Sequence, residues 1–230
     1  MEKFLYSFFI FFIYSVIGWI IESTYVAIKE KKFTNRGFLI GPYCPIYGFG
    51  SLTMILYLEQ YKDNLITVFL LAIILCSTLE YLTSFFMEKL FHARWWDYSN
   101  EKFNLNGRIC GKNALLFGLG GVFIIYIVHP IINKVILSIN ETLLLILIII
   151  FFIVYITDTI ISLKIVNKFK TTIRSIDIKK DSTQDFSKLV KEVLLNNHKI
   201  LQKRLLSAFP NIELKKLANL KKDIKELLTK

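Results

Sequence analysis

The chain has 230 residues, of which 54% are hydrophobic, and its formal net charge at pH 7 is +11. This hydrophobic fraction exceeds that of soluble domains and excludes a soluble globular fold for most of the chain. Residues 1–163 carry 12 basic and 11 acidic side chains, whereas residues 164–230 carry 17 and 7. We therefore predict a transmembrane helical domain over residues 1–163 and a basic cytosolic helical tail over residues 164–230.

Five segments are apolar enough to cross a bilayer as helices, which takes about 20 residues each. Pro42 and Pro45 interrupt the second segment, so its regular helix is expected to begin near Ile46. The sequence thus predicts an all-α, polytopic membrane helical bundle of about five spans. These spans cover residues 4–28, 37–58, 65–91, 113–132 and 143–163.

Basic residues in short loops indicate how such a bundle is oriented. The N-terminus, the loop between spans 2 and 3 and the loop between spans 4 and 5 hold one cation each. We predict a multi-pass protein of the cell membrane with its N-terminus outside and its C-terminus in the cytoplasm. The loops after spans 1 and 3 hold the other cations, namely Lys29, Lys31, Lys32 and Arg36, and Lys89, Arg94, Lys102, Arg108 and Lys112.

Part of the sequence matches itself at an offset of 58 residues, where residues 22–36 align with residues 80–94. A Gly-x-x-Cys sequence follows each copy and ends at Cys44 and at Cys110. Two interpretations stay open: a parallel two-span repeat, spans 1 and 2 with spans 3 and 4, or a chance match among common residue types. The identical pairs are Glu22/Glu80, Glu30/Glu88, Lys31/Lys89, Phe33/Phe91 and Arg36/Arg94.

Four carboxylates lie inside the predicted spans, where a buried charge costs several kcal/mol or more and marks a functional candidate. By the predicted orientation, all four lie in the cytoplasmic half of the membrane. Together with polar residues of the adjoining loops they predict a substrate-binding or transport pocket that opens to the cytoplasm. Its members are Glu22, Glu80, Glu88 and Asp158 in the spans and Arg36, Arg94, Asp97, Asn104, Asn106 and Arg108 in the loops.

Each of these features also has a purely structural explanation. Arg36 and Arg94 could pair with Glu22 and Glu80 and so hold helices together. Glu88 could sit in water at a helix end. The aromatic residues after the third span are more often a belt at the membrane interface than a binding site. They are Trp95, Trp96 and Tyr98.

Motifs of enzyme chemistry are weak in this chain. The sequence from Gly107 to Asn113 is one residue too short for a phosphate loop and lacks Ser or Thr after its lysine. The histidines lie far apart, and Cys44 with Cys110 cannot complete a zinc site. The sequence therefore favours a protein that is not an enzyme, with no catalytic residue, cofactor or metal ion.

The tail has apolar residues at steps of three and four, which is typical of amphipathic helices. Pro210 separates two such helices within residues 184–228. They could bind a protein partner, or their lysines could be attracted to the anionic lipids of the inner leaflet. No motif supports binding of nucleic acid.

Several strings of this sequence resemble one bacterial family, the ABC-transporter permeases of type IV (CmpB-like). They are the string from Arg36 to Gly48 (RGFLIGPYCPIYG), Arg94 to Ser99 (RWWDYS) and Asn104-x-Asn-Gly-Arg108, with Glu80 and Glu88. The resemblance covers roughly residues 1–165. It implies a permease that relies on a separate ATPase subunit for energy.

The leading hypothesis is a membrane transport component with a charged pocket facing the cytoplasm and no ATPase activity of its own. One alternative is a membrane-embedded enzyme that acts on lipid head groups at the inner leaflet. The other is a regulator or assembly factor that does not transport and docks partners through its tail. The sequence specifies neither the substrate, nor the direction of transport, nor the oligomeric state.

Overall fold

The computed structural model of the chain describes residues 2–91, 93–175, 204–205, 207–209 and 213–214. Helices make up most of this part, and two short strands, β1 (Ala93–Arg94) and β2 (Glu213–Leu214), accompany them. A π-helical turn over Ile124–Val128 joins the fourth helix to the fifth. The helices are α1 (Glu2–Glu30), α2 (Pro45–Leu58), α3 (Leu65–Phe91), α4 (Gly111–Phe123), α5 (His129–Leu137) and α6 (Glu141–Ser175).

Four continuous helical stretches are long and apolar enough to cross a membrane. They match the first, third, fourth and fifth predicted spans, and the prediction of a helical membrane bundle is confirmed. The third stretch combines α4, the π-helical turn and α5. Their bounds are Lys3–Glu30, Leu65–Phe91, Gly111–Leu137 and Glu141–Asn167.

The second predicted span differs, because only its last 14 residues are helical, as α2. At 1.5 Å per residue, α2 is about 21 Å long, which is shorter than the bilayer's hydrocarbon core. It begins at Pro45, one residue from the predicted start. The proline lies in the first turn, where its missing N–H costs no hydrogen bond.

Before α2, residues 31–44 run back along the second half of α1 without regular structure, and we call them the first re-entrant segment. Trp19 of α1 donates its indole N–H to Asn35 Oδ1 at 2.8 Å. The Cys44 amide then donates to the carbonyl of Ser15, halfway along α1, at 2.8 Å. α2 therefore starts near the middle of α1 and packs against its first half, while Tyr47 in the first turn of α2 contacts Gly18 and Glu22 in the second half of α1.

Residues 95–110 run back along the second half of α3 in the same way, and we call them the second re-entrant segment. Tyr98 and Arg108 reach back to Glu80 and Ser84 of α3 at 3.2 and 3.1 Å. α4 then starts at Gly111 and packs against the first half of α3. Both long helices thus have an irregular segment folded along their second halves.

The two halves of the bundle share one plan. α1 packs chiefly against α2, and α3 packs chiefly against α4. Cys44 and Cys110 each stand in extended backbone immediately before the shorter helix, and both are buried. This common plan favours duplication over a chance match as the origin of the sequence repeat.

The buried core lies where α1, α2 and α3 meet, with contributions from α5 and α6. Gly48 of α2 lies so close to Phe11 and Ser15 that a side chain there would overlap them. The outer faces of the long helices carry many exposed apolar side chains, which suits contact with lipid. α6 is the most exposed of the four membrane-crossing stretches.

α6 continues without a break through residue 163, the predicted end of the transmembrane domain, to Ser175. The division into two domains stays a prediction. Part of the tail folds back, since Leu205 is buried beside Trp95 and Val166. β2 also pairs antiparallel with β1. Residues 213–214 are thus strand where helix was predicted, and most of the predicted tail helices lie outside the described residues.

Candidate functional site

Charged side chains gather where α1 and α3 end beside the two re-entrant segments, and we call this region the polar end. Glu88 of α3 forms ion pairs with Arg94 Nε at 3.1 Å and with Arg108 Nη2 at 2.9 Å. Both Glu88 and Arg108 are buried. The interpretation of Glu88 as a water-exposed residue at a helix end is therefore wrong.

Arg108 is held on several sides. Its Nη1 donates to Ser84 Oγ at 3.1 Å, and its guanidinium lies 5.7 and 5.5 Å from the rings of Tyr81 and Phe85. Its buried Nε has no hydrogen-bond partner among the described residues. The guanidinium thus keeps one donor that an additional acceptor could use.

Arg94 pairs with Glu88, not with Glu80 as the structural alternative supposed. Its Nη1 also lies 3.3 Å from Asp97 Oδ1. Since Arg108 pairs with Glu88 as well, two arginines face two carboxylates here. Among the described residues, the charges in this cluster are balanced.

Hydrogen bonds within the second re-entrant segment determine its shape. Asp97 Oδ1 accepts from the amide and hydroxyl of Ser99 at 3.1 and 2.6 Å. Asn104 donates to the carbonyls of Ser99 and Glu101 and accepts from the Gly107 amide. Asp97 and Asn104 thus hold the loop around the arginines.

Asn106 adopts a positive φ of 53° and donates to the Tyr81 hydroxyl at 2.9 Å. Gly107 follows with a φ of +66°, and any side chain there would overlap Asp97 and Ser99. This turn directs the chain back so that Arg108 enters the cluster.

Glu22 of α1 lies in a second group of polar side chains. Its Oε1 accepts a hydrogen bond from the Tyr47 hydroxyl at 2.5 Å, and its Oε2 lies 3.8 Å from Arg36 Nε. Arg36 also donates to the carbonyl of Ala208 in the tail, and its guanidinium lies 5.3 Å from the Phe209 ring. Glu22 is thus paired with a cation that the tail also contacts.

Glu80 lies between these groups and has different surroundings. Its Oε1 accepts from the Tyr98 hydroxyl at 3.2 Å, and the Asn113 side chain of α4 lies beside it. Its Oε2 is buried and has no hydrogen-bond partner among the described residues. Burial and the Glu80 carboxyl raise the pKa of Tyr98, so this phenol remains a neutral donor.

Asp158 of α6 contacts a different part of the protein from the carboxylates above. Its Oδ1 accepts from the Ile40 amide at 3.0 Å, and its Oδ2 accepts from the Gly41 amide at 2.7 Å. The hydroxyls of Tyr43 and Ser162 complete its shell. These contacts tie the first re-entrant segment to α6.

The aromatic residues after α3 face protein. Trp95 is buried and meets Phe209 edge-on at 4.9 Å, and Trp96 donates to the Arg108 carbonyl at 3.0 Å. The interpretation of Trp95 as part of an aromatic belt at the membrane interface is therefore wrong. These rings cover the charged clusters.

Reasoning from the sequence missed two partners of the central carboxylates, Tyr47 and Asn113. Each stands three residues after the cysteine that precedes its helix. The Tyr47 hydroxyl donates a hydrogen bond to Glu22, and Asn113 lies beside Glu80, the counterpart of Glu22 in the repeat. Aligning the two copies of the repeat beyond these cysteines, into α2 and α4, would have pointed to both residues.

One cavity of about 650 Å³ opens beside the start of α4, lined by Ile73 and by residues around Lys102 and Lys112. None of the predicted site residues lines it. In the described part of the chain, no group of acidic, cysteine or histidine side chains is suited to a metal ion. His92 and His198 lie outside that part.

Residues 9–163 match the model of the family described as "Putative ABC-transporter type IV". The chain belongs to this family. The resemblance found in the sequence is confirmed, and the membrane-crossing helices agree with a membrane transport component. No curated protein and no solved structure matches the chain.

Proposed function

We propose that this chain is the permease subunit of an ABC-type transporter and that its substrate binds at the polar end from the cytoplasm. The observation that carries the proposal is the assembly of buried charges by two irregular segments beside long membrane helices. Glu88 and Arg108 are buried at the centre of this assembly.

Irregular backbone inside a membrane must be surrounded by protein or line a wet cavity, because lipid offers no hydrogen bonds. Transporters use such interruptions to present backbone groups and charges to substrates. Here the two re-entrant segments bring Arg36 and Arg108, and the adjoining strand β1 brings Arg94, to the carboxylates of α1 and α3. The arginines either balance these carboxylates or bind an anionic group of the substrate.

A separate ATPase subunit would supply the energy. The sequence from Gly107 to Asn113, which resembles a phosphate loop, spans the end of a tight hairpin, closed by a bridge between Leu105 and Ile109, and the start of α4. It does not connect a strand to a helix, as a nucleotide site requires. This geometry supports a chain without ATPase activity of its own.

A flux assay on membrane vesicles tests the proposal. Vesicles are prepared from native membranes, which keep the ATPase subunit, of cells with the wild-type chain, with Glu80→Gln or without the chain. They are given ATP and an isotope-labelled cell extract, and mass spectrometry identifies what moves. We expect a set of solutes to move only with the wild-type chain. Glutamine keeps the size of the side chain, so folded Glu80→Gln protein should lose this flux.

The exposed loop residue Glu101 gives the matched control. Glu101→Gln removes a carboxylate from the same loop without touching the buried clusters, and it should keep the flux. If no solute distinguishes vesicles with the chain from vesicles without it, or if Glu80→Gln transports normally, the proposal is wrong.

A further inference from the structure

The carboxylates of the polar end differ in how their charge is compensated. Glu88 has two arginines, and Glu22 has Arg36. Asp158 accepts four hydrogen bonds, two of them from backbone amides. Glu80 has no ion pair with any described residue, although it is only 8% exposed.

The groups that face Glu80 come from each neighbouring element. Tyr98 of the second re-entrant segment hydrogen-bonds to it, Asn113 of α4 lies beside it, and Cys76 precedes it by one turn on α3. Glu22 of α1 interacts with it electrostatically. This set contains a second carboxylate and no cation.

An ionised carboxylate in this position would be costly. A buried charge needs an opposite charge or several donors, and the Oε2 atom of Glu80 has neither among the described residues. Arg108 lies beside the next turn of α3, where it is engaged by Ser84 and Glu88. A proton on Oε2 removes both the charge and the repulsion from Glu22.

We propose that Glu80 is a proton-binding site of the permease, which takes up one proton on Oε2 and releases it during the transport cycle. Uptake forms one O–H bond with a proton from water, and release returns that proton to water. Glu22, whose side chain is 33% exposed, provides a neighbouring acceptor that reaches solvent. This inference rests on the proposed function and adds a proton that binds to the permease and leaves it in each transport cycle.

Labelling with dicyclohexylcarbodiimide tests the site without a known substrate. This apolar reagent adds to protonated carboxyl groups and leaves a stable acyl urea, which peptide mass spectrometry locates. In native membranes we expect Glu80 to be labelled at acid and neutral pH. Once the proton leaves at higher pH, labelling should fall about tenfold per pH unit.

Glu88 is the internal control, because it has the arginine partners that Glu80 lacks among the described residues, and it should stay unlabelled. Glu80→Asp should keep some labelling, whereas Glu80→Gln should lose it at this position alone. Denatured chain treated at acid pH shows that the labelled Glu80 peptide can be detected.

Absence of label on Glu80 in native membranes, with label in the denatured chain, would overturn the proton site. Labelling that does not change with pH would overturn it too. Normal labelling without any solute flux would contradict only the transport function. Flux without labelling would contradict only the proton site.

Discussion

Glu88 and Arg108 show how one residue contact can organise a polar region. Each is buried, and the ion pair between them measures 2.9 Å. Removing one member takes an opposite charge away from a buried group, which costs more than the pair itself contributes. The sequence pointed to both residues as functional candidates, and their mutual contact depends on how the second re-entrant segment folds.

The variant Arg108→Ala should therefore destabilise the protein strongly. We expect a loss of up to about 3–5 kcal/mol, because Glu88 loses its 2.9 Å ion pair and Ser84 loses a donor. Thermal unfolding in detergent measures it. Lys102→Ala, at an exposed position of the same segment, should change stability little.

Gly107 allows a second comparison at this scale. Its φ of +66° and its contact with Asp97 leave no room for a side chain. Gly107→Ala should lower the free energy of unfolding by at least about 1 kcal/mol. Gly120→Ala, where a methyl group meets nothing within 4 Å, should be neutral or slightly stabilising. Equal stability of the two variants would contradict the described turn.

The re-entrant segments are the elements that sequence patterns described least well. The prolines correctly placed the start of α2, because a proline is compatible with only a few helix positions. Hydropathy, however, counted residues 37–44 as part of a span. Their backbone hydrogen bonds go to α1 and to Asp158, and hydropathy contains no information about such partners.

Asp158 should therefore control the order of the first re-entrant segment. Asp158→Asn weakens acceptance from the Ile40 and Gly41 amides, and the segment should loosen as far as Cys44. In a background of Cys76→Ser and Cys110→Ser, a maleimide should then react several-fold faster with Cys44. Thr159→Ala on the same helix should leave Cys44 as buried as in the parent.

For the whole molecule, the predicted orientation follows from loop charges and has a direct test. Single cysteines replace Lys3, Lys62 or Lys102 in a variant whose native cysteines are changed to serine. An impermeant maleimide added to intact cells should label the first two positions and not the third. Labelling of position 102 alone would reverse the orientation and the side on which the substrate binds.

The contacts of the tail also concern the whole molecule, because they join parts that are far apart in the sequence. Arg204 donates to the carbonyls of Gly37 and Phe38 at 3.1 and 3.2 Å, and Phe209 covers Trp95. Amphipathic spacing predicted helices with an apolar face but not the surface they would cover. The described tail residues pack against the chain's own polar end.

The amino-acid sequence by itself determined that this is a helical membrane protein, which family it belongs to and which charged residues are candidates. Hydropathy and motifs depend on residues that are close together in the sequence, so they can be recognised without the structure. Only the tertiary structure decided that Arg94 pairs with Glu88, that Asp158 anchors a loop and that Glu80 has no ion pair with any described residue. These outcomes depend on which groups meet across irregular segments, where neither helical spacing nor hydropathy sets the distances.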